Sequence, residues 1–299
     1  MKAKIFFDNE AQKINYVNVC DADFEARLDE LMKKVCAKND TDFITLSGPT
    51  CSGKTTASKK LISEFCERGK RVKIVSLDDF FRNASELKKE CEGGVLDFDS
   101  EKALDIPVLQ RFMDELQNKG EAELPKIDFE LAARTHFEHI SVKDADIVVF
   151  EGIQALYPVF TKLFKKDAKV QKIYISVLDS LEINGKIISP REVRLWRRLV
   201  RDYKFRAASP EYSFQIWEGV VKNEDKNILP FVSENDFMID SLQGYEPCML
   251  KKELTSLMKM INPTSKYYEK SLEILNTLDT VEEIDSSYLP ANSLYREFL

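Results

Sequence analysis

The sequence predicts an α/β fold built on a doubly wound, mainly parallel five-stranded sheet, and three observations carry that prediction. A glycine-rich loop stands between an apolar strand and a helix in Phe43 to Phe65, FITLSGPTCSGKTTASKKLISEF. Short runs rich in Val and Ile recur downstream, at 71–77, 146–152, 172–178 and 236–239. Helical patterns separate these runs, and strands that alternate with helices pair in parallel through crossover connections.

Length and composition narrow the function classes. At 299 residues there is room for one large α/β domain with an appendage, or for two modest domains. A formal charge of −7 argues against a surface that tracks nucleic acid as a whole, so no nucleic-acid partner is expected; a small phosphorylated ligand needs only local positive charge. The six cysteines (Cys20, Cys36, Cys51, Cys66, Cys91, Cys248) are scattered, without a C-x-x-C pair or an adjacent histidine, which speaks against zinc and a disulfide framework. The first residues do not form a signal peptide, and no stretch approaches ~18 consecutive apolar residues. A cytoplasmic protein without a membrane partner is expected.

Residues 2–19 read as two short strands, Lys4 to Phe7 and Lys13 to Val19, around Asp8-Asn9-Glu10; a helix over 23–38 follows, with Phe24, Leu28, Leu31 and Val35 on one face. This hairpin-helix extension, 1–40, carries no chemistry and is assigned to packing or to formation of a homo-oligomer. The core expected over 41–245 opens on Gly48-Pro49-Thr50-Cys51-Ser52-Gly53-Lys54-Thr55, which matches G-x-x-x-x-G-K-[ST] at every fixed position and identifies a P-loop NTPase fold. Polyphosphate is densely anionic, so its site needs backbone N–H groups aimed inward, a helix N-terminus behind them and no Cβ where the chain comes closest. Gly48 and Gly53 meet the last need. Lys54 can reach the β- and γ-phosphates, Thr55 can ligate Mg²⁺, and Thr56 can donate to an inner phosphate. Cys51 is either a thiol activated by the helix N-terminus or a small filler.

The strand over 71–77 ends in Asp78-Asp79. Ligands of open parallel sheets bind outside the carboxyl ends of the strands, so Asp78 is a candidate base, while Asp79 serves equally well as the cap of a following helix. Residues 83–142 interrupt the alternation with a helix capped by Ser100 and running to Asn118, then a hairpin of 125–129 with 137–142; this is the expected acceptor-binding insertion. The next strand ends in Glu151, where an acid commonly approaches Mg²⁺ or the acceptor. A helix on Leu156, Val159, Phe160 and Leu163 precedes the strand over 172–178.

Arg191 to Arg206 is the most basic stretch. On a helix, Arg194, Arg197, Arg198 and Arg201 share one face, and Val193, Trp196, Val200 and Tyr203 form an adjoining apolar stripe. The predicted role is a lid, 189–222, whose arginines close over the transferring phosphoryl group; charge reversal at Arg197 should then lower turnover and leave the melting temperature nearly unchanged. Ser209-Pro210 starts another helix, and 246–299 is a C-terminal helical extension.

With these motifs in order, the chain resembles the uridine kinase and phosphoribulokinase family of P-loop kinases, above all its bacterial uridine kinase-like nucleoside kinase branch. The resemblance rests on GPTCSGKTTASKKL, VSLDDFF, LDFDSEKALD, LPKIDF, IVVFEGIQALYP, RLWRRLVRDYKFR followed by SPEY, LPF, and YLPANSLYREF. It implies Asp78 as the base for the acceptor hydroxyl, Asp99 as a sugar-hydroxyl contact, Glu151 near Mg²⁺ and acceptor, and Arg194, Arg197 and Arg198 as lid arginines. Two positions depart from the uridine kinase pattern: Ile127 stands where a tyrosine precedes the Asp-Phe pair, and Ala132 where a histidine follows it.

The expected function is ATP-dependent phosphoryl transfer to a small-molecule hydroxyl, a nucleoside first, with Mg²⁺. The catalytic residues would be Asp78, Lys54 and Arg197. ATP would bind Gly48 through Thr56 with Arg194 and Arg198. The acceptor would meet Asp99, Phe129 and Glu151, and the metal Thr55 and Glu151. The alternatives are a kinase for a sugar phosphate or cyclitol, and a non-catalytic nucleotide-binding module; the N-K-x-D motif of GTPase switches is missing.

Overall fold

A computed structural model describes residues 1–38, 40–90, 98–128 and 131–299. Its elements in chain order are α1 (Glu10–Ala37), β1 (Phe43–Ser47), α2 (Lys54–Glu67), β2 (Val72–Ser76), α3 (Ala84–Glu90), α4 (Ile106–Lys119), β3 (Glu121–Asp128) and β4 (Ala133–Ser141). There follow β5 (Ile147–Glu151), α5 (Pro158–Thr161), β6 (Val170–Ser176), β7 (Leu181–Ile183), β8 (Lys186–Ile188), α6 (Pro190–Arg206), α7 (Pro210–Asn227), β9 (Phe237–Asp240), α8 (Glu246–Lys259) and α9 (Tyr268–Leu278).

The central sheet has the order β2-β5-β1-β6-β9, and every pairing in it is parallel. Alternation along β5 shows how the two faces are filled: Ile147 and Val149 enter one apolar cluster with Ile44, Leu46, Ile173 and Ile175, and Val148 and Phe150 enter another with Val75, Phe112 and Phe160. The first cluster also takes in Phe24, Leu28 and Val35 of α1, Trp196 of α6, Leu254 of α8 and Phe298. The segments 1–40 and 246–299 therefore share one core with the sheet.

Several local expectations need correction. The predicted strand Lys13 to Val19 lies inside α1, which is capped by Asn9, whose side chain accepts from Gln12 N. A buried stripe of Val17, Phe24, Leu28, Leu31 and Val35 runs its length, so packing overrides the local β-branched composition. The first residues are extended instead, joined to Glu182 by backbone hydrogen bonds from Ala3 N and to Met1 O. Ser100 caps only a short 3₁₀ turn, Glu101–Ala103; α4 is capped by Asp105, which accepts from Val108 N at 3.2 Å, with a proline in its first turn. The helix expected around Leu156 is broken into a 3₁₀ turn and the four-residue α5, which begins at Pro158. The hairpin expected at 125–129 with 137–142 is present, as the antiparallel pair β3–β4.

Candidate active site

β1 delivers the chain to the phosphate loop, and α2 leaves it from Gly53. That helix has no side-chain cap and no acid in its first turn, so its leading N–H groups remain available to an anion. The two loop glycines answer to the sheet as well as to a ligand. A Cβ on Gly48 would overlap the carbonyl oxygen of Ile175, and one on Gly53, whose φ is +95°, would lie 2.5 Å from Leu294 Cδ1. The Lys54 ammonium donates to the carbonyls of Gly48 at 2.7 Å and Pro49 at 3.2 Å. Among the described residues, Ser52 Oγ is buried without a partner. Thr55 is exposed and Thr56 half-buried on the first turn of α2. Cys51 is buried, which favours the filler over the accessible thiol.

Three carboxylates meet this loop. Ser76, Glu151 and Leu46 are in register across β2, β5 and β1, so the turn after β2 and the end of β5 open on the same edge as the loop. The third, Asp99, is anchored through its backbone carbonyl, which accepts from Tyr157 Oη at 2.5 Å and Asn223 Nδ2 at 2.6 Å. Burial pushes the Lys54 ammonium below its ordinary pKa, and Asp78, Glu151, Glu297 and Asp99 pull it back up. Burial likewise raises the half-buried Asp78 carboxyl to about 6, against Lys54 and with added push from Glu151, Asp99 and Asp79. A carboxyl so tuned titrates near the working range of a general base. Asp79 turns instead to the hairpin, where its carboxylate accepts from Lys126 Nζ at 3.3 Å.

Glu297 was not anticipated. It stands on the YLPANSLYREF stretch, its charge acts on Lys54 and Arg201, and among the described residues its Oε2 is buried without a partner. The stretch could have drawn notice as a motif, but its sequence distance from the loop hid its charge from a local reading.

The arginine helix departs from a lid. All ten residues from Val193 to Asp202 are buried, and it is Tyr203, assigned to the core stripe, that is exposed. Arg197 has no exposed surface. It pairs with Glu246 at 2.5 Å and donates to Ser241 and to the carbonyl of Cys51 at 3.1 Å. Arg194 pairs with Glu224 at 2.7 Å, and Arg198 with Asp202 at 3.0 Å. The expectation that Arg197 is free of the core is thus corrected: three buried ion pairs tie the helix to its neighbours and to itself.

Of the residues expected to meet an acceptor, Phe129 lies outside the described residues. His136 and His139 are exposed on β4, where His139 pairs with Glu123. Ala132 adopts a left-handed backbone, φ +47°, at the hairpin end.

The comparisons agree with this geometry. Residues 43–246 match the model of the phosphoribulokinase / uridine kinase family. A uridine kinase of Clostridium tetani is 30% identical over 222 residues, covering 70% of this chain and 96% of that protein. A uridine kinase of Lactobacillus helveticus is 28% identical over 210 residues, covering 67% of this chain and 90% of that one. Among solved structures, one described as a possible uridine kinase from Bacillus stearothermophilus shares the fold, with a TM-score of 0.50 at 17% identity, over 73% of this chain and all of that one. A complete phosphate loop on a parallel sheet, three carboxylates around its lysine and a family match across two thirds of the length agree: the chain belongs to the phosphoribulokinase / uridine kinase family and is a small-molecule kinase.

Proposed function

We propose that the chain transfers the terminal phosphoryl group of ATP to a hydroxyl of a small polyhydroxylated acceptor, a nucleoside first. The observation that supports this reading most is the meeting of Asp78, Glu151 and Asp99 around the Lys54 ammonium. The loop suits a nucleotide's phosphates: α2 starts uncapped, Ser52 Oγ lacks a partner among the described residues, and Lys54 rests on two loop carbonyls. Thr55 and Glu151 are the residues to hold Mg²⁺, which when bound neutralises charge developing on phosphoryl oxygens.

The chain's own residues divide the remaining work. Lys54 binds and polarises the transferring group, and its charge acts more strongly in a partly desolvated site than in water. Asp99 and Glu151 accept hydrogen bonds from acceptor hydroxyls and fix their orientation. Asp78 takes the proton of the attacking hydroxyl, and the Lys54 charge beside it keeps the carboxylate form available. The names of the relatives favour uridine as acceptor, while Ile127 and Ala132 remove two side chains of the uridine kinase pattern. ADP release across a panel of nucleosides, sugar phosphates and cyclitols tests the reading. A nucleoside should give the fastest release. Release with a sugar phosphate or cyclitol alone would move the acceptor class, and tight ATP binding with no acceptor active would leave a nucleotide-binding module.

A further inference from the structure

Thr50 and Cys51 form the tip of the phosphate loop, and Cys51 holds a left-handed backbone, φ +58°, without being glycine. Such a conformation is unfavourable for a residue with a Cβ and persists where its surroundings impose it. Here they do so through the carbonyls. Thr50 O accepts from Arg194 Nη1 at 3.3 Å, Cys51 O accepts from Arg197 Nη1 at 3.1 Å, and the Thr50 hydroxyl accepts from Arg201 at 3.4 Å. A trans peptide points its N–H opposite to its C=O. Turning these two carbonyls toward α6 therefore turns the N–H groups of Cys51 and Ser52 away from it.

Arg197 is in turn held by the stretch that follows α9. Its Nε donates to Tyr295 Oη at 3.3 Å, and the Tyr295 and Phe298 rings lie 5.4 and 5.3 Å from its guanidinium. One residue earlier, Leu294 is buried against Gly53, two residues beyond Cys51 in the loop. The stretch is itself fixed to α1, since Ser293 Oγ donates to Asp21 at 2.8 Å. It thus bears on the loop at two points, directly at Gly53 and through Arg197 at Cys51.

We propose that residues 293–298, acting through Leu294 and the Tyr295–Arg197 contact, are a positioning element that holds the phosphate loop in its nucleotide-binding conformation. The proposal rests on the phosphate loop being the ATP site. These residues touch no reacting atom; they act through Gly53 and Arg197. Loosening them should weaken ATP binding and free the Cys51 thiol while leaving the acceptor side, built from β2, β5 and the hairpin, as it was.

The test uses the full chain with Leu294→Ala, which opens space beneath Gly53, and Tyr295→Phe, which removes one acceptor from Arg197 and keeps the ring. Kd for ATP without acceptor, KM for the acceptor, and the rate of Cys51 alkylation are measured. Leu294→Ala should raise Kd for ATP about 10-fold and Tyr295→Phe about 3-fold, with faster alkylation that ATP suppresses and an unchanged acceptor KM. Should Leu294→Ala fail to fold, Tyr295→Phe decides alone. Unchanged ATP affinity in Tyr295→Phe, or an equal rise in the ATP and acceptor constants, would overturn the proposal and leave the stretch as ordinary core. ATP protection separates the two levels: if saturating ATP does not slow alkylation of Cys51 in Tyr295→Phe, the loop is not the ATP site and the proposal falls with that reading.

Discussion

Asp78 and Asp79 are adjacent in sequence and face different partners. Asp79 reaches Lys126 on the hairpin, and Asp78 faces Lys54 at a site where burial first, and the neighbouring carboxylates after it, lift its pKa to about 6. The lift has a sign that can be read in stability. A carboxyl raised above its unfolded value of ~3.9 favours the fold fully only below that value, and stability falls as pH rises from there through about 6. Asp78→Asn should therefore raise Tm at pH 8 and leave it unchanged near pH 4, checked by thermal melts at both. Activity carries the opposite sign, since the base must be ionised: kcat/KM should rise with pH through a limb near 6 in the parent enzyme and lose that limb in Asp78→Asn. Lys54→Ala should lower turnover by about 10²–10³-fold with the melting temperature nearly kept, as for removal of a donor aimed at developing charge. Most of the cluster was legible in the sequence, because Asp78 and Glu151 follow or end strands of a parallel sheet and Lys54 opens the helix after the glycine-rich loop. Glu297 was not, because nothing local in a stretch so far down the chain announces where it docks.

At the scale of elements, α6 teaches most. Its spacing put four arginines on one face correctly, but spacing cannot say what covers the face. Glu224 on α7 and Glu246 on α8 supply the answer: acids more than 25 residues downstream bury the arginines that a local reading leaves for phosphate. Breaking a buried pair strands its partner at about 3–5 kcal/mol, so Arg197→Glu, opposite Glu246, should lower Tm sharply, in contrast to the lid expectation. Arg197→Lys, which keeps the charge, should lose less; differential scanning calorimetry of both variants checks the order. Equal melting temperatures in Arg197→Glu and the parent would restore the lid. The same limit misled the reading of Lys13 to Val19 as a strand: Val17 and Val19 suggested β structure, and only the stripe shared with Phe24 and Leu28 shows that α1 began earlier. The Asn184-Gly185 turn between β7 and β8, with φ of 48° and 80°, is the contrary case, a hairpin signal present in the sequence but not read.

Across the whole molecule, the sheet order β2-β5-β1-β6-β9 gathers the site at one edge. Alternation of strands and helices predicted that edge, and the hairpin insertion beside it, before any coordinates. What pattern alone could not provide is the single core that joins α1, the sheet, α6, α8 and residues 294–298 into one support for the loop. In the proposed reaction this support presents Lys54 to a phosphoryl group and Asp78 to the acceptor's proton. The most direct measurement is single-turnover phosphoryl transfer in Asp78→Asn, with Asp79→Asn as control and ATP binding measured in both. Asn keeps the shape but cannot act as a carboxylate base, so Asp78→Asn should bind ATP nearly as the parent does and transfer about 10²–10⁴-fold more slowly, with Asp79→Asn close to the parent. A slow Asp79→Asn beside an active Asp78→Asn would contradict the account and move the base to the hairpin side of the turn.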